Sequence, residues 1–378
     1  MITIIADDHI PFLKGVLEPF AKIIYTKGGQ IDHKLALQAD GLVIRTRTFC
    51  NASLLEGTPV RFIATATIGF DHIDTDYCSK KEISWHHAPG CNASSVRQYL
   101  ASALVNLALR HKFSLQGKKI GIIGVGHVGS KIAQLASALG MVPLLNDPPR
   151  ERSENIGGFV SLEEIQETAD IITFHVPLTH EGPDKTYHMA DKEFFKKLRK
   201  KPLLINTARG PVIDTHLVKD TVCRGEISGF AADVWENEPN PDRELLEIAG
   251  IATPHIAGYS VEGKANGTVA CVQAASRFFN FGIDDWYPSP LPLPENPLIE
   301  INARGNTNEL VIFESILASY DVRHDDAIFR KDPSQFENLR NHYPVRREFG
   351  AYRVHISNSR TELLSMLHKI GFSSSSEF

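Results

Sequence analysis

Long hydrophobic runs are missing from this chain. No stretch among its 378 residues approaches the roughly 20 apolar residues of a membrane-spanning helix. The first ten residues, MITIIADDHI, carry neither a basic segment nor a long apolar one. A secretory signal is therefore not expected, and a cytoplasmic protein without a membrane partner is. An excess of positive charge is missing too: 40 Lys and Arg against 45 Asp and Glu leave a net charge of −5. On that balance nucleic acid is not an expected partner. Cysteine is scarce, with five residues (Cys50, Cys78, Cys91, Cys223, Cys271) that are odd in number and scattered. They form neither a disulfide framework nor a CxxC pattern, and fit reduced thiols. His86–His87 and the string DHID at 71–74 also lack the spacing of zinc ligands, so no metal is expected. The one basic run, KEFFKKLRKK at 192–201, reads as the solvated face and end of a helix.

With 42% hydrophobic and 22% charged residues the composition is globular, and the length implies two or three domains. Short apolar strands alternate with amphipathic helices, the pattern of a doubly wound α/β fold with parallel sheets covered on both faces. MITIIA (1–6), GLVIRT (41–46) and RFIATAT (61–67) read as strands of a first unit. SSVRQYLASALVNLALR (94–110) has apolar positions at helical spacing. KKIGIIG (118–124) reads as a buried strand, followed by the helix HVGSKIAQLASALG with Gly140 at its C-terminal end. MVPLLND (141–147), DIITFHVPL (170–178), PLLINTA (202–208) and GFAADVW (229–235) are further strands, and Ser161 with Glu164 forms a capping box. The proline-dense stretch WYPSPLPLPENP (286–297) reads as an extended linker. Beyond it, LIEIN, ELVIFESILASY, YRVHIS and TELLSMLHKIGF suggest a small α+β module that needs a partner surface, and the terminal SSSSEF is expected to be disordered.

Gly124, Gly126 and Gly129 fill the three glycines of G-x-G-x-x-G between a strand and a helix. The first permits a tight turn, the second lets a pyrophosphate approach the backbone, and the third lets helix and strand pack closely. The helix N-terminus then offers free N–H groups to phosphate. Asp147 ends the next strand, where a carboxylate accepts ribose hydroxyls and repels a 2′-phosphate, so NAD is favoured over NADP. A turn residue before two prolines is the plainer reading of Asp147, and Arg150 softens the penalty on NADP.

Downstream lie INTARGPVID, DVWENEP and TPHIAGY, within 205–259. Arg209 follows a buried strand, at the sheet edge where α/β ligands bind, and a guanidinium grips a carboxylate through two parallel bonds. A surface ion pair is the alternative. His255 suits a reversible proton shuttle, and a carboxylate such as Glu238 beside it would orient the ring. Asp233 could bind a nicotinamide amide or cap the turn that follows it. Cation, acid–base pair and cofactor loop together point to oxidation of a hydroxy acid.

GVGHVG, HVPLT, INTARGPVID, DVWENEP and TPHIAG, in that order, resemble the D-isomer-specific 2-hydroxyacid dehydrogenase family over residues 1–285. ATATIGFDHID, APGCN, DPPR, HIAGYSVEGKANGT, YDVRHDDA and the C-terminal module are similar to its branch acting on a four-carbon phosphorylated 2-hydroxy acid. The resemblance implies Arg209 and Glu238 as active-site residues and His255 as the proton donor, or base in oxidation. It implies NAD contacts at Gly124, Gly126, His127, Val128, Gly129, Asp147, Val176, Thr207, Asp233 and Gly258, and substrate contacts at Thr46, Thr67 and Tyr259. Arg45 and Arg47 are further candidates for a phosphate. It implies two Rossmann-like doubly wound domains plus a small C-terminal α+β dimerisation domain. Residues 1–93 with 257–285 would bind substrate, 94–256 would bind NAD, and 286–378 would form a homodimer. Within the family, 3-phosphoglycerate dehydrogenase is the alternative, and an NADH-sensing binding protein is the alternative of a different class.

Overall fold

Two parallel sheets organise the chain, and their central strands are buried and largely apolar on both faces because helices cover both. The computed structural model describes residues 1–155, 157–358 and 361–373, so most of the terminal SSSSEF lies outside the described residues. The first sheet contains β1 (Thr3–Asp7), β2 (Lys22–Thr26), β3 (Gly41–Ile44), β4 (Phe62–Thr65) and β5 (Ser84–His86), in the order β2-β1-β3-β4-β5. Every pairing is parallel. The second contains β6 (Lys119–Ile123), β7 (Val142–Asn146), β8 (Ile171–Phe174), β9 (Leu203–Asn206), β10 (Gly229–Ala232) and β11 (Ile251–Ala252), in the order β11-β10-β9-β8-β6-β7. These too are all parallel. In both sheets the strand order reverses beside the first strand, at β1 and at β6. Doubly wound sheets bind ligands at the carboxyl ends of the strands next to such a reversal.

The chain divides into two units, residues 1–92 with 260–292, and 93–259 with 293 onward. In the first unit the helix Val261–Phe279 lies on the sheet, with Phe62 and Phe279 packed edge to face at 5.4 Å. It approaches so closely that a Cβ at Gly267 would stand 2.7 Å from the Ala66 carbonyl oxygen. The Pro-rich stretch 286–297 contains neither helix nor strand, as its composition requires.

In the second unit the helix Ala93–His111 is buried along nearly its whole length. One side rests on the β6–β11 sheet and the other is covered by the C-terminal module. That module pairs β12 (Leu298–Asn302) with β13 (Arg353–Ser357) and packs the helices Asn308–Ser319 and Thr361–Ile370 against Ala93–His111 and His127–Ala138. The surface it needs is therefore supplied by its own chain. Polar groups stitch the contact: Ser95 donates to Glu348 (2.8 Å), Gln98 to the Arg347 carbonyl (2.9 Å) and Asn106 to Asp321 (3.1 Å). Buried polar side chains on a helix are tolerated when each finds such a partner.

The helix Val322–Lys331 fixes the module beside β11. Asp326 accepts the Ala252 N–H at 2.6 Å and pairs with Arg330 at 2.9 Å. Arg330 donates to the Leu246 carbonyl and, at 2.8 Å, to that of Ala249, so it satisfies the carboxyl end of the helix Arg243–Ile248. Elsewhere the basic run at 192–201 behaves as a solvated face, with Lys196, Lys197 and Lys200 in exposed pairs with Glu193, Glu163 and Asp170. Among the described residues no helix is long and apolar enough to cross a membrane. Arg330→Ala should lower stability by about 2–3 kcal/mol, since it removes charge-assisted bonds to buried carbonyls. Denaturant unfolding checks this; an unchanged midpoint would count against the anchoring role.

Candidate active site

The glycine loop turns out of β6 with each glycine under a different constraint. Gly124 has φ +88, and a Cβ there would stand 2.7 Å from the His175 carbonyl and 2.9 Å from Val176 Cγ1. A Cβ at Gly129 would overlap the Gly124 carbonyl oxygen, which is how closely helix and strand approach. At Gly126 a Cβ would meet nothing within 4 Å. Gly126 also precedes the helix His127–Ala138 with no side chain capping the helix N–H groups. The loop is thus tight where the fold is tight and open where a phosphate would lie, with exposed His127 and half-buried Val128 at its rim.

Asp147, just after β7, ties this loop to the next helix. Its Oδ2 accepts the Val125 N–H at 2.8 Å and its Oδ1 caps Pro148–Glu154 through the Arg150 N–H at 3.1 Å. Arg150 is engaged in a two-pronged pair with Glu154, at 2.6 and 2.7 Å. The glycine cradle and the acid at the end of β7 fit a dinucleotide with an unphosphorylated ribose.

Parallel register carries the next residues to the same edge. Phe174 of β8 pairs with Asn206 of β9, which sets His175 beside Thr207. The His175 ring lies 3.3 Å from Thr207 Oγ1 and 3.0 Å from Thr173 Oγ1. Desolvation of the half-buried ring pushes its pKa down to about 3, so the ring stays neutral and serves as a fixed hydrogen-bonding wedge.

β9, β10 and β11 deliver the three chemical groups from neighbouring strand ends. Asn206 shapes the turn after β9 by accepting the Ala208 N–H (3.0 Å) and donating to the Arg209 carbonyl (2.9 Å). The half-buried Arg209 follows, its Nη1 donating to the Ala208 carbonyl at 2.8 Å. A Cβ at Gly210 would overlap the Trp235 carbonyl, so this turn rides directly on the segment that carries Glu238. His188, 2.6 Å from Glu236, braces that segment from the other side.

Asp233 is 1% exposed, and its carboxylate accepts three bonds: Thr253 Oγ1 at 2.6 Å, and the Ile256 and Ala257 N–H groups at 2.8 Å each. Its carbonyl accepts the His255 N–H at 2.7 Å. His255 is held at φ +56, a left-handed backbone that this clamp enforces. Its Nδ1 meets Glu238 Oε2 at 2.8 Å, while Glu238 Oε1 accepts the Trp235 N–H at 3.0 Å. Burial would raise the Glu238 pKa, but His255, the Trp235 N–H and Arg340 outweigh it and hold the carboxyl below its usual range. A charged Glu238 on Nδ1 leaves Nε2 as the nitrogen that exchanges protons.

Gly258 continues this segment, and the Ala257 carbonyl before it accepts from Arg346 at 2.6 Å. The Tyr259 ring packs edge-on against Tyr343 at 5.8 Å and under Arg340 at 5.5 Å. In the other unit, Thr46 is exposed just beyond β3, and Thr67 donates to the Gly69 carbonyl while meeting Thr65 at 2.8 Å. Arg45 pairs with the buried Asp7 at 3.2 Å, so its charge is already balanced. Glu238 and His255 meet directly, and Arg209 reaches their segment through Gly210. Sequence reasoning missed His175, His188, Arg340 and Arg346. Only His175 had a local signal, its place at a strand end.

Residues 94–257 match the family model described as D-isomer specific 2-hydroxyacid dehydrogenase, NAD binding domain. Residues 292–371 match a domain of unknown function, DUF3410. The erythronate-4-phosphate dehydrogenase of Bacteroides thetaiotaomicron is 49% identical over 357 residues, covering 93% of this chain and 98% of the relative. The chain belongs to the erythronate-4-phosphate dehydrogenase family, within the D-isomer-specific 2-hydroxyacid dehydrogenases. Another member, from Porphyromonas gingivalis, is 42% identical over 93% of this chain and 95% of its own. Among solved structures, D-lactate dehydrogenase from Aquifex aeolicus, complexed with NAD and lactic acid, aligns with TM-score 0.63 at 28% identity. It covers 74% of this chain and 95% of its own. A 3-phosphoglycerate dehydrogenase from Entamoeba histolytica aligns with TM-score 0.62 at 23% identity, over 77% of this chain and 99% of its own, a likeness of fold alone. As a member of the family, the chain is an NAD-dependent oxidoreductase.

The glycines separate stability from cofactor binding. Gly129→Ala should cost about 3 kcal/mol of stability through overlap with backbone. Gly126→Ala should leave stability within about 0.5 kcal/mol yet weaken NADH binding roughly tenfold, because the added methyl points into the open cradle. Thermal unfolding and NADH fluorescence titration of the two variants check the contrast.

Proposed function

We propose that the chain oxidises 4-phospho-D-erythronate to 2-oxo-3-hydroxy-4-phosphobutanoate with NAD, in the biosynthesis of pyridoxal 5′-phosphate. The observation that carries the chemistry is the 2.8 Å Glu238–His255 pair on the segment that also supports the Arg209 turn. The substrate follows the name carried by relatives 37–49% identical over nearly the whole chain.

Arg209 grips the substrate carboxylate through its guanidinium fork. His255 Nε2 takes the proton of the C2 hydroxyl as the carbonyl forms, and Glu238 stabilises the resulting imidazolium. When bound at the Gly124–Gly129 loop, NAD supplies the acceptor for the hydride that leaves C2. Thr46, Thr67 and Tyr259 are the hydroxyl-bearing side chains assigned to the remaining substrate oxygens. Residues 1–93 with 257–285 serve the substrate, 94–256 the cofactor, and 286–378 a homodimer of a cytoplasmic enzyme. The exposed Leu298, Leu310, Ile328, Val345 and Leu364 of the C-terminal module support an assembly surface there.

A substrate panel with NAD and NADP tests the reading: turnover should be greatest on 4-phospho-D-erythronate with NAD. Equal or greater turnover on 3-phosphoglycerate would overturn it. Arg209→Ala should lower kcat/KM about a thousandfold, about 4 kcal/mol of transition-state stabilisation, with NADH binding unchanged. Light scattering should give twice the 41.9 kDa of one chain, and a monomer mass would remove the homodimer.

A further inference from the structure

Arg340 stands on the short helix Phe336–Asn341 of the C-terminal module, about eighty residues beyond the last member of the proposed site. Its guanidinium lies 5.5 Å from the centroid of Tyr259 and 5.6 Å from that of Phe336. Its charge acts on the Tyr259 phenol and on Glu238, whose carboxyl it helps hold in the charged form. It also pairs with Glu337 at 3.5 Å. The Arg340 side chain is 16% exposed, and its buried Nε has no partner among the described residues.

A guanidinium drawn inward on these terms is not an ordinary surface pair. Desolvating it is costly, and the 3.5 Å pair with Glu337 by itself offsets little of that cost. Burial would favour loss of its proton, yet Tyr259, Glu238 and Glu337 together raise its hold on it. The contacts that justify its position are therefore those with Tyr259 and Glu238. A guanidinium stacked on a phenol ring hinders the ring from turning, so the contact fixes the direction in which Tyr259 presents its hydroxyl.

We propose that Arg340 is a positioning residue of the active site, which fixes the Tyr259 ring and sets the electrostatic balance of the Glu238–His255 pair. The C-terminal module then serves the chemistry of its own chain, besides any role in assembly. This rests on the proposed roles of His255 and Tyr259. The charged and titratable groups facing the cluster are Glu238, His255, Tyr259 and Glu337, with Tyr343, Arg346 and Asp325 behind the tyrosine.

The sign of the pH effect follows from charge. Removing a cation near the pair eases proton uptake, so oxidation, which needs a neutral base, loses rate at a higher pH than in the wild type. Full-length Arg340→Met, Arg340→Gln and Arg340→Lys are compared with the wild type in kcat, KM, the pH profile of kcat/KM and NADH affinity. Arg340→Met should raise KM about tenfold and move the acid limb up by about half a pH unit, with NADH affinity unchanged. Arg340→Lys should restore the limb but not KM, because it keeps the charge and loses the planar fork. If the methionine variant does not fold, glutamine against lysine gives the same contrast. A wild-type limb and KM in the uncharged variant overturn the proposal, as does an equal loss in all variants that tracks NADH affinity. A wild type inactive on 4-phospho-D-erythronate but active on another 2-hydroxy acid would sink the substrate reading alone, and the Arg340 comparison is then run on that acid.

Discussion

The buried carboxylate of Asp233 is the interaction on which the site depends. Three donors converge on it from residues 253–257, and its own carbonyl holds the His255 N–H. These bonds press His255 into a left-handed backbone that a histidine seldom adopts unforced. Without that bend the ring would not meet Glu238 at 2.8 Å. The clamp also reaches outward, because Thr253 Oγ1 donates to Asp233 and meets the Tyr99 hydroxyl at 2.7 Å. A fully buried helix residue is thereby linked through one threonine to the segment that carries the proposed proton shuttle, His255. Networks of this kind in a low-dielectric interior stiffen what they connect.

The C-terminal module closes the same segment from the far side. Arg346 donates to the Ala257 carbonyl and stacks 4.6 Å from the Tyr320 ring, while Tyr320 and Tyr343 both donate to Asp325 at 2.6 and 2.7 Å. Burial raises the Asp325 pKa, although the two tyrosines and Arg346 oppose that rise. A cluster of cation, phenols and carboxyl this deeply set is stable only with its members paired. One of those pairings, Arg346 to the Ala257 carbonyl, forms only when the module sits against residues 257–259. The module and the His255 segment therefore hold each other.

Much of this was legible in the sequence, for identifiable reasons. Strand runs, the Gly124–Gly129 loop and the Pro-rich break depend on local chemistry, so β6, the helix after it and the unstructured 286–297 stretch follow from spacing and composition. Asp147 shows how far a local reading goes: the carboxylate caps a turn, as its two prolines suggest, and also grips the Gly loop. Local spacing allows Asp233 a cofactor contact or a turn cap, whereas its three bonds come from residues twenty or more positions later. Gly210 has no mark in the sequence beyond following Arg209, yet its missing side chain lets the Arg209 turn touch the segment that carries Glu238. Arg340 had no local mark at all, since an arginine on a six-residue helix is ordinary until its neighbours are known.

The division between shared and added parts has a physical consequence. The D-lactate dehydrogenase of Aquifex aeolicus covers 74% of this chain and 95% of its own, which leaves about a quarter of this chain without a counterpart. The proposed carboxylate clamp and proton shuttle, Arg209 and His255, follow strand ends of the sheet in the NAD-binding part of this chain. The module at 292–371 matches a different model from the NAD-binding part, and it bears on the shared site where residues 257–259 pass beneath it and, through the charge of Arg340, at Glu238. An added domain can tune a reaction without disturbing its chemistry when it touches the residue next to the shuttle rather than the shuttle itself. Tyr259, four positions after His255 and under Arg340, occupies that place.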